Sequence, residues 1–132
     1  MNSPHDNTNA TAVTMTVEPK ALTATETGTG VDLAGYYAAA IAFSYGLITD
    51  GTFTPDIEDS PDNSVWTNVA AEYLIGTPAA RTTANDHATE IIGYIGMKRY
   101  VRANITVAGA TTGGVMSAAV IQQNPRFDNA GL

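Results

Sequence analysis

The stretch YIGMKRYVRANITV, residues 94–107, decides the fold class of this chain. From residue 99 onward, polar and apolar side chains alternate, and the apolar ones fall on one side. These are Val101, Ala103, Ile105 and Val107. Alternation with period two is typical of a half-buried strand in an antiparallel sheet. The stretch also holds Lys98, Arg99 and Arg102, three of the six basic residues in the chain.

Short extended stretches of this kind recur along the chain, separated by turn signals such as Asp50-Gly51 and the GATTGG run at 109–114. About seven to nine strands at a spacing of roughly 8–12 residues indicate an all-β sandwich or barrel. We therefore predict an all-β fold, namely an antiparallel two-sheet sandwich that is jelly-roll-like.

Two stretches allow both helix and strand. In 36–45 (YYAAAIAFSY), three alanines favour helix, whereas the aromatic residues favour a strand that is buried on both faces. We choose the strand because neither end carries a helix cap. Residues 65–69 are predicted as a strand, with a short helix as the alternative. Pro55 is expected to interrupt extended structure, and 56–63 (DIEDSPDN) to form an acidic loop.

We predict three segments: an extended N-terminal arm at 1–22, the sandwich domain at 23–126 and a C-terminal tail at 127–132. Val13, Met15 and Val17 alternate with threonines in the arm. An extended arm can add a strand to the sheet of a neighbouring protein. These three residues are therefore our first candidates for partner binding.

Composition excludes several classes of function. The net charge of −7 and the pI near 4.4 argue against a nucleic-acid binder, because neutralising phosphates requires clustered lysine and arginine. There is no cysteine, which excludes disulfides and thiolate chemistry. No signal peptide is evident, and no apolar run approaches the roughly 20 residues of a membrane span. We expect a soluble protein that is made in a cytoplasm and does not bind a membrane.

No catalytic or metal-binding constellation is evident. The only histidines are His5 and His87, and His87 follows Asp86 without a further partner. The acids at 50–62 do not match the calcium-loop pattern. We therefore predict no enzyme and no cofactor. Trp66 is expected in the core, and it would serve as a sugar platform only if it were exposed beside other aromatic rings.

The basic residues Lys98, Arg99 and Arg102 are the second candidate site. Arg102 and Tyr100 should share one face of their strand. Such a row can be an ordinary solvated face. It can also bind an acidic partner, or the acidic loops of a neighbouring copy.

Several short motifs together resemble the small virion structural proteins of tailed bacteriophages, of the head decoration or cement type. The motif IGYIGMKRYVR at 92–102 is followed by an alternating strand, a Thr/Gly hairpin and Asn-Pro-Arg. Upstream lie GVDLAGY at 30–36 and the acidic stretch before Ser64-Val65-Trp66. The resemblance covers about 28–126, and the arm lies outside it.

This resemblance implies a β-rich protein, often a homotrimer, that binds the major capsid protein on the outer surface of a virion. The expected function is non-enzymatic: a decoration subunit that bridges coat-protein subunits. Two alternatives remain open at this point. One is a carbohydrate-binding sandwich on a phage spike or tail, and the other is a head-completion or tail component.

Overall fold

The computed structural model describes residues 8–125 of the chain, all of it strands, turns and one short 3₁₀ turn at Ala71–Tyr73. The strands are β1 (Thr11–Leu22), β2 (Glu26–Thr27), β3 (Val31–Asp32), β4 (Tyr36–Ile48), β5 (Thr52–Ser60), β6 (Thr67–Asn68), β7 (Leu74–Ile75), β8 (Ala88–Tyr94), β9 (Tyr100–Ala108) and β10 (Gly114–Pro125).

These strands form two antiparallel sheets that pack face to face. The first sheet has the order β1-β10-β4-β8-β7, and the second has the order β2-β9-β5-β6, with β3 also paired to β9. The predicted all-β fold and two-sheet sandwich are confirmed. The jelly-roll connectivity stays a prediction.

The core lies between the two sheets and is built from the inward positions of the alternating strands. The stretch that decided the fold class is β9, and Val101, Ala103 and Ile105 are fully buried there, as their alternation predicted. Opposite them lie the inward residues of the first sheet, including Ile41, Phe43 and Val120. Each sheet thus contributes one apolar face to a single core.

Strand β1 belongs to the sandwich, which corrects the predicted boundary between an arm at 1–22 and a domain at 23–126. It pairs with β10 from Thr11 to Leu22 and forms one edge of the first sheet. Val17 is 1% exposed and packs in the core. The sequence did not reveal this pairing, because β10 lies about a hundred residues farther along the chain and leaves no local signal in β1. The first seven residues and the 127–132 tail lie outside the described residues.

A β-bulge in β1 joins the two sheets along that edge. The pairing with β10 shifts between Met15 and Val17, so that Thr16 turns inward. Its hydroxyl accepts the amide hydrogen of Ala103 at 3.1 Å and donates to the carbonyl oxygen of Thr29 at 2.7 Å. Both backbone groups belong to the second-sheet side of the sandwich. The bulge therefore ties β1, the edge strand of the first sheet, to the second sheet through the Thr16 side chain.

Strand β5 includes most of the stretch that we predicted as an acidic loop. Pro55 pairs with Ile105, and the strand continues to Ser60. Pro55 is tolerated because β6 pairs only with Glu58 and Asp59, so β5 is an edge strand at the proline. The acids Asp56 and Glu58 are the outward residues of an alternating strand, which composition alone made resemble a loop.

Strand β4 confirms the choice of strand over helix for 36–45, and it also corrects part of that prediction. Its Ile41, Phe43 and Tyr45 are buried, as expected. The opposite face, which we also expected to be buried, is covered by no other part of the described chain and is half-exposed at Ala40 and Ala42. Farther along, residues 65–69 contain only the two-residue strand β6.

Candidate functional site

The outer face of the first sheet carries two rows of apolar residues across its strands. Neighbouring residues of each row are paired partners, so their side chains lie side by side on the same face. The first row crosses all five strands and consists of Val13, Ile121, Ala40, Gly93 and Ile75. The second row consists of Met15, Ala119, Ala42 and Ile91. We call these nine residues the outer apolar face.

The largest side chains of the outer apolar face are exposed. The exposed fraction is 66% for Val13, 45% for Met15, 62% for Ile75 and 63% for Ile91. The nine residues include no charged or polar side chain, although the chain has nineteen acidic and basic residues. Scattered surface apolar residues need no explanation, but a contiguous patch of them marks an interaction surface.

The outer apolar face has large side chains at its two flanks and small ones in its centre. Val13 and Met15 stand on the edge strand β1, while Ile75 and Ile91 stand on the opposite side. The residues between them are alanine or glycine, apart from Ile121 on β10. A partner can therefore approach the backbone closely over β4 and contact large side chains on both sides.

An open cleft of about 610 Å³ adjoins this face where β8 ends and the chain leaves for β9. Tyr37 and Ala38 line one side, and Ile95 and Met97 line the other. Ile75 and Gly93 belong to both the cleft and the outer apolar face. The cleft therefore continues the outer apolar face at one corner of the sheet, where Lys98 and Arg99 also line it.

The structure divides the three predicted arm residues between two environments. Val13 and Met15 lie on the outer apolar face. Val17 lies in the core, because the bulge at Thr16 reverses the alternation after Met15. A partner can reach Val13 and Met15 in this chain, but not Val17.

Arg102 lies on the outer face of the second sheet, bound to groups of its own chain. Its guanidinium lies 2.7 Å from the carboxylate of Glu58, directly across the β5–β9 pair. Its other contact is the ring of Trp66, 4.2 Å from the guanidinium carbon to the ring centroid. The half-buried Trp66 thus has one ring face covered by Arg102, which leaves that face unavailable as a sugar platform.

Arg99 and Lys98 are also paired with acids of the chain. Arg99 donates two hydrogen bonds to the carboxylate of Asp32, at 2.8 and 2.9 Å. This bidentate contact holds the pKa of Asp32 below its ordinary value and raises that of Arg99. The Lys98 ammonium lies 3.2 Å from Asp59 and donates to the hydroxyl of Thr67 at 2.8 Å. The predicted basic patch is therefore three separate ion pairs.

Asp59 links the two sheets through Tyr94. The Tyr94 hydroxyl donates to the buried carboxylate of Asp59 at 2.7 Å and accepts the amide hydrogen of Lys98 at 3.2 Å. Burial raises the pKa of Tyr94, and the bond to Asp59 raises it further. Because each group has partners inside the chain, this network is a structural link between β5 and β8.

The remaining sequence candidates form no site in the described part of the chain. The His87 ring is largely exposed, and its only acidic neighbour is Asp86 at 3.7 Å. Asp86 accepts the amide hydrogen of Ile48, which fixes the loop before β8. No group of three or more histidine, cysteine or carboxylate side chains in 8–125 is placed to hold a metal ion. The same residues include no helix long and apolar enough to cross a membrane.

Sequence reasoning missed most of the outer apolar face, although one signal for it was present. Both faces of 36–45 are apolar in the sequence, and we predicted from this that other parts of the protein bury both of them. Ile75 carried no such signal because its strand has two residues, and Ile91 carried none because it stands next to Ile92, so that either could be the inward residue. Only the pairing of five strands that are distant in sequence places these residues in common rows.

Comparison with known proteins gives no match: no family model fits the chain, and no curated protein or solved structure is significantly similar to it.

Proposed function

We propose that this chain is a non-enzymatic structural protein of a bacteriophage virion, of the capsid decoration type. It stabilises the head by bridging coat-protein subunits, and the outer apolar face is the surface through which it binds its partners. The major capsid protein and further copies of the chain are its partners.

The outer apolar face is the observation that carries this proposal. Strand β4 has the composition of a strand covered on both faces, yet the described chain covers only one of them. Such a surface is typical of a subunit that completes its burial in an assembly. The sequence resemblance to head decoration proteins is our reason for proposing that this assembly is a phage head.

The neutralised basic residues agree with a contact that depends on shape and apolar burial. Lys98, Arg99 and Arg102 each have a carboxylate partner within 3.2 Å, so they offer a partner little unpaired charge. Exposed ion pairs contribute only about 0–1 kcal/mol each. In a shell with many equivalent positions, repeated modest contacts gain strength through avidity.

The carbohydrate-binding alternative loses its main support from the geometry. That function needed an exposed Trp66 beside other aromatic rings, whereas Arg102 covers one face of the ring. A head-completion or tail component would use the same kind of surface. It differs from a decoration protein in the number of copies per particle.

Co-sedimentation with coat-protein shells tests the proposal. The purified chain is mixed with shells assembled from the coat protein of the phage that encodes it. We expect the chain to sediment with the shells at a copy number comparable with that of the coat protein. Ala42→Glu places a carboxylate in the centre of the outer apolar face and should abolish this binding, because burying an unpaired charge is costly.

Thr106→Glu is the matched control. Thr106 is an exposed strand residue on the outer face of the second sheet. We expect this variant to sediment with the shells as the native chain does. Failure of the native chain to bind, or binding at the copy number of a connector ring, would contradict the assignment as a decoration protein.

A further inference from the structure

We infer that the outer apolar face binds the same face of a second copy, so that the chain is a two-fold symmetric dimer. This inference rests on the proposed function in one respect, namely that this face is the surface through which the chain binds its partners. It goes further by naming the occupant. The other copy then occupies the face that the proposed function assigns to partners, and Ala42→Glu weakens shell binding by separating the pair that bridges coat-protein subunits.

The size of the face meets the requirement of a stable dimer. The sheet has five strands, and the apolar rows lie within the seven residues 38–44 of β4 and their partners. With strands about 4.8 Å apart and about 3.3 Å per residue, these seven residues across five strands span about 550 Å², which includes the uncharged row of Ser44, Ser117 and Thr89 beside the apolar rows. Two copies would bury about 1,100 Å² in total, which exceeds the roughly 1,000 Å² expected of a specific interface.

The charge distribution favours a second copy over an unlike partner. The chain carries a net charge of −7, so two copies repel each other over most of their surfaces. The outer apolar face is the exception, because none of its nine residues is charged. A second copy needs no complementary charge at this contact, because both sides are the same uncharged face.

The geometry favours a two-fold axis. In a two-fold contact, both copies use the same patch, which must complement itself. A sheet face of uncharged residues meets that condition, because apolar side chains meet apolar side chains wherever the two copies touch, and two such faces pack about 10 Å apart as in a sandwich. A ring of three copies would instead require two different surfaces on each copy. The trimer expected from the sequence resemblance is therefore the competing outcome.

Sedimentation of the purified chain alone, over a range of concentrations, tests this inference. We expect a species of twice 13.7 kDa that dissociates on dilution. Ile91→Glu and Ala42→Glu should each raise the dissociation constant at least about tenfold, because each places a carboxylate in an apolar contact. Thr106→Glu, on the second sheet, should leave it unchanged. Circular dichroism checks that each variant is folded.

Single cysteines provide a second measurement that does not depend on a disruptive charge. The chain has no cysteine of its own, so Ile91→Cys and Thr106→Cys each carry one thiol. At concentrations where the dimer forms, a soluble maleimide should label Ile91→Cys more slowly than it does after dilution. The labelling of Thr106→Cys should not depend on concentration.

Several results would overturn the dimer. These are a native chain that is monomeric at every concentration, a trimer, a dimer that survives both glutamate variants, or one that Thr106→Glu dissociates. A monomeric chain that still binds shells through this face would remove the inference and leave the proposed function standing. A dimer that binds no shell would remove the proposed function and leave this inference standing.

Discussion

At the residue scale, the basic side chains of 98–102 stabilise the sandwich. Arg102 joins β9 to β5 through Glu58 and covers the ring of Trp66. Lys98 and Tyr94 meet on Asp59, and Arg99 binds the carboxylate of Asp32 at the end of β3. Three of the six basic residues of an acidic chain are thus used in contacts within the chain.

Arg102→Ala should lower the free energy of unfolding by about 1–2 kcal/mol. The variant loses a cation–π contact worth about 0.5–1 kcal/mol and a partly buried ion pair of similar size. It also uncovers Trp66, so the fluorescence of the single tryptophan should shift to longer wavelength and become easier to quench with acrylamide. Urea unfolding and quenching measure both effects.

Thr106→Ala serves as the control for this prediction. Thr106 lies on the same strand and the same face as Arg102, four residues farther along. We expect it to leave the tryptophan emission unchanged and to alter stability by less than about 0.5 kcal/mol. Unchanged emission in Arg102→Ala would show that the stacking on Trp66 is absent in solution.

Asp50 should make the fold sensitive to acid. Its carboxylate accepts amide hydrogens from Gly113 at 2.7 Å and from Thr112 and Thr111 at 3.1 Å, which lowers the pKa of Asp50 below its ordinary value of 3.8. Stability from this contact is complete above the unfolded-state pKa and is lost as the pH falls through the lower folded-state pKa. In thermal melts at a series of pH values, Asp50→Asn should lose this part of the acid dependence.

Asp56 provides a control of opposite sign. Burial raises the pKa of Asp56, so its contribution is present below the unfolded-state pKa and is lost as the pH rises through the folded-state pKa. Asp56→Asn should therefore raise stability at neutral pH relative to acid. The Asp50 prediction fails if the two variants change the pH profile in the same direction.

At the scale of the elements, β1 depends on its bulge. A regular strand would place Thr16 and Val17 on opposite faces, whereas here both are buried. The bulge lets the Thr16 hydroxyl reach the second sheet while Val17 fills the core. Deleting residues 1–18, which the arm interpretation would tolerate, should therefore disrupt the fold.

Thr16→Val should lower the free energy of unfolding by about 1–3 kcal/mol, although the side chains have nearly the same shape. The buried amide of Ala103 loses its side-chain acceptor, and an unsatisfied buried donor costs that much. Thr14→Val on the same strand, where the side chain is exposed, should change stability little. Equal urea midpoints for the two variants would contradict the bridging role of Thr16.

At the scale of the whole molecule, the acidic surface and the outer apolar face have opposite effects on the association of two copies. The net charge of −7 repels, while the outer apolar face attracts. The balance between these effects depends on screening. Ionic strength therefore separates a dimer formed by apolar contact from one formed by ion pairs.

Added salt should strengthen the dimer. The Debye length falls from about 30 Å at 0.01 M salt to about 10 Å at 0.1 M, which screens the repulsion between the two copies but not the apolar contact. Sedimentation velocity at the two ionic strengths should show more dimer at the higher one. A dimer that salt dissociates would depend on charge pairs and not on the outer apolar face.

The alternation of apolar and polar residues was enough to predict the burial of Val101, Ala103 and Ile105, and the number and spacing of the strands led to the sandwich. The strand at 36–45 was predicted from its aromatic residues and its missing helix caps. The alternation was not enough at Val17, where a bulge changes its phase. It failed again at Asp56 and Glu58, because acidic residues on the outer side of a strand have the composition of a loop.

The sequence by itself determined the fold class, because period-two alternation is a local property that each strand carries alone. Only the tertiary structure decided where the charges and the apolar surface lie. The partners of Lys98, Arg99 and Arg102 are up to 67 residues away in the chain. The outer apolar face consists of residues from five separate strands, including Val13, Ile75 and Ile121. Strand order sets these neighbours, and strand order is a property of the whole chain.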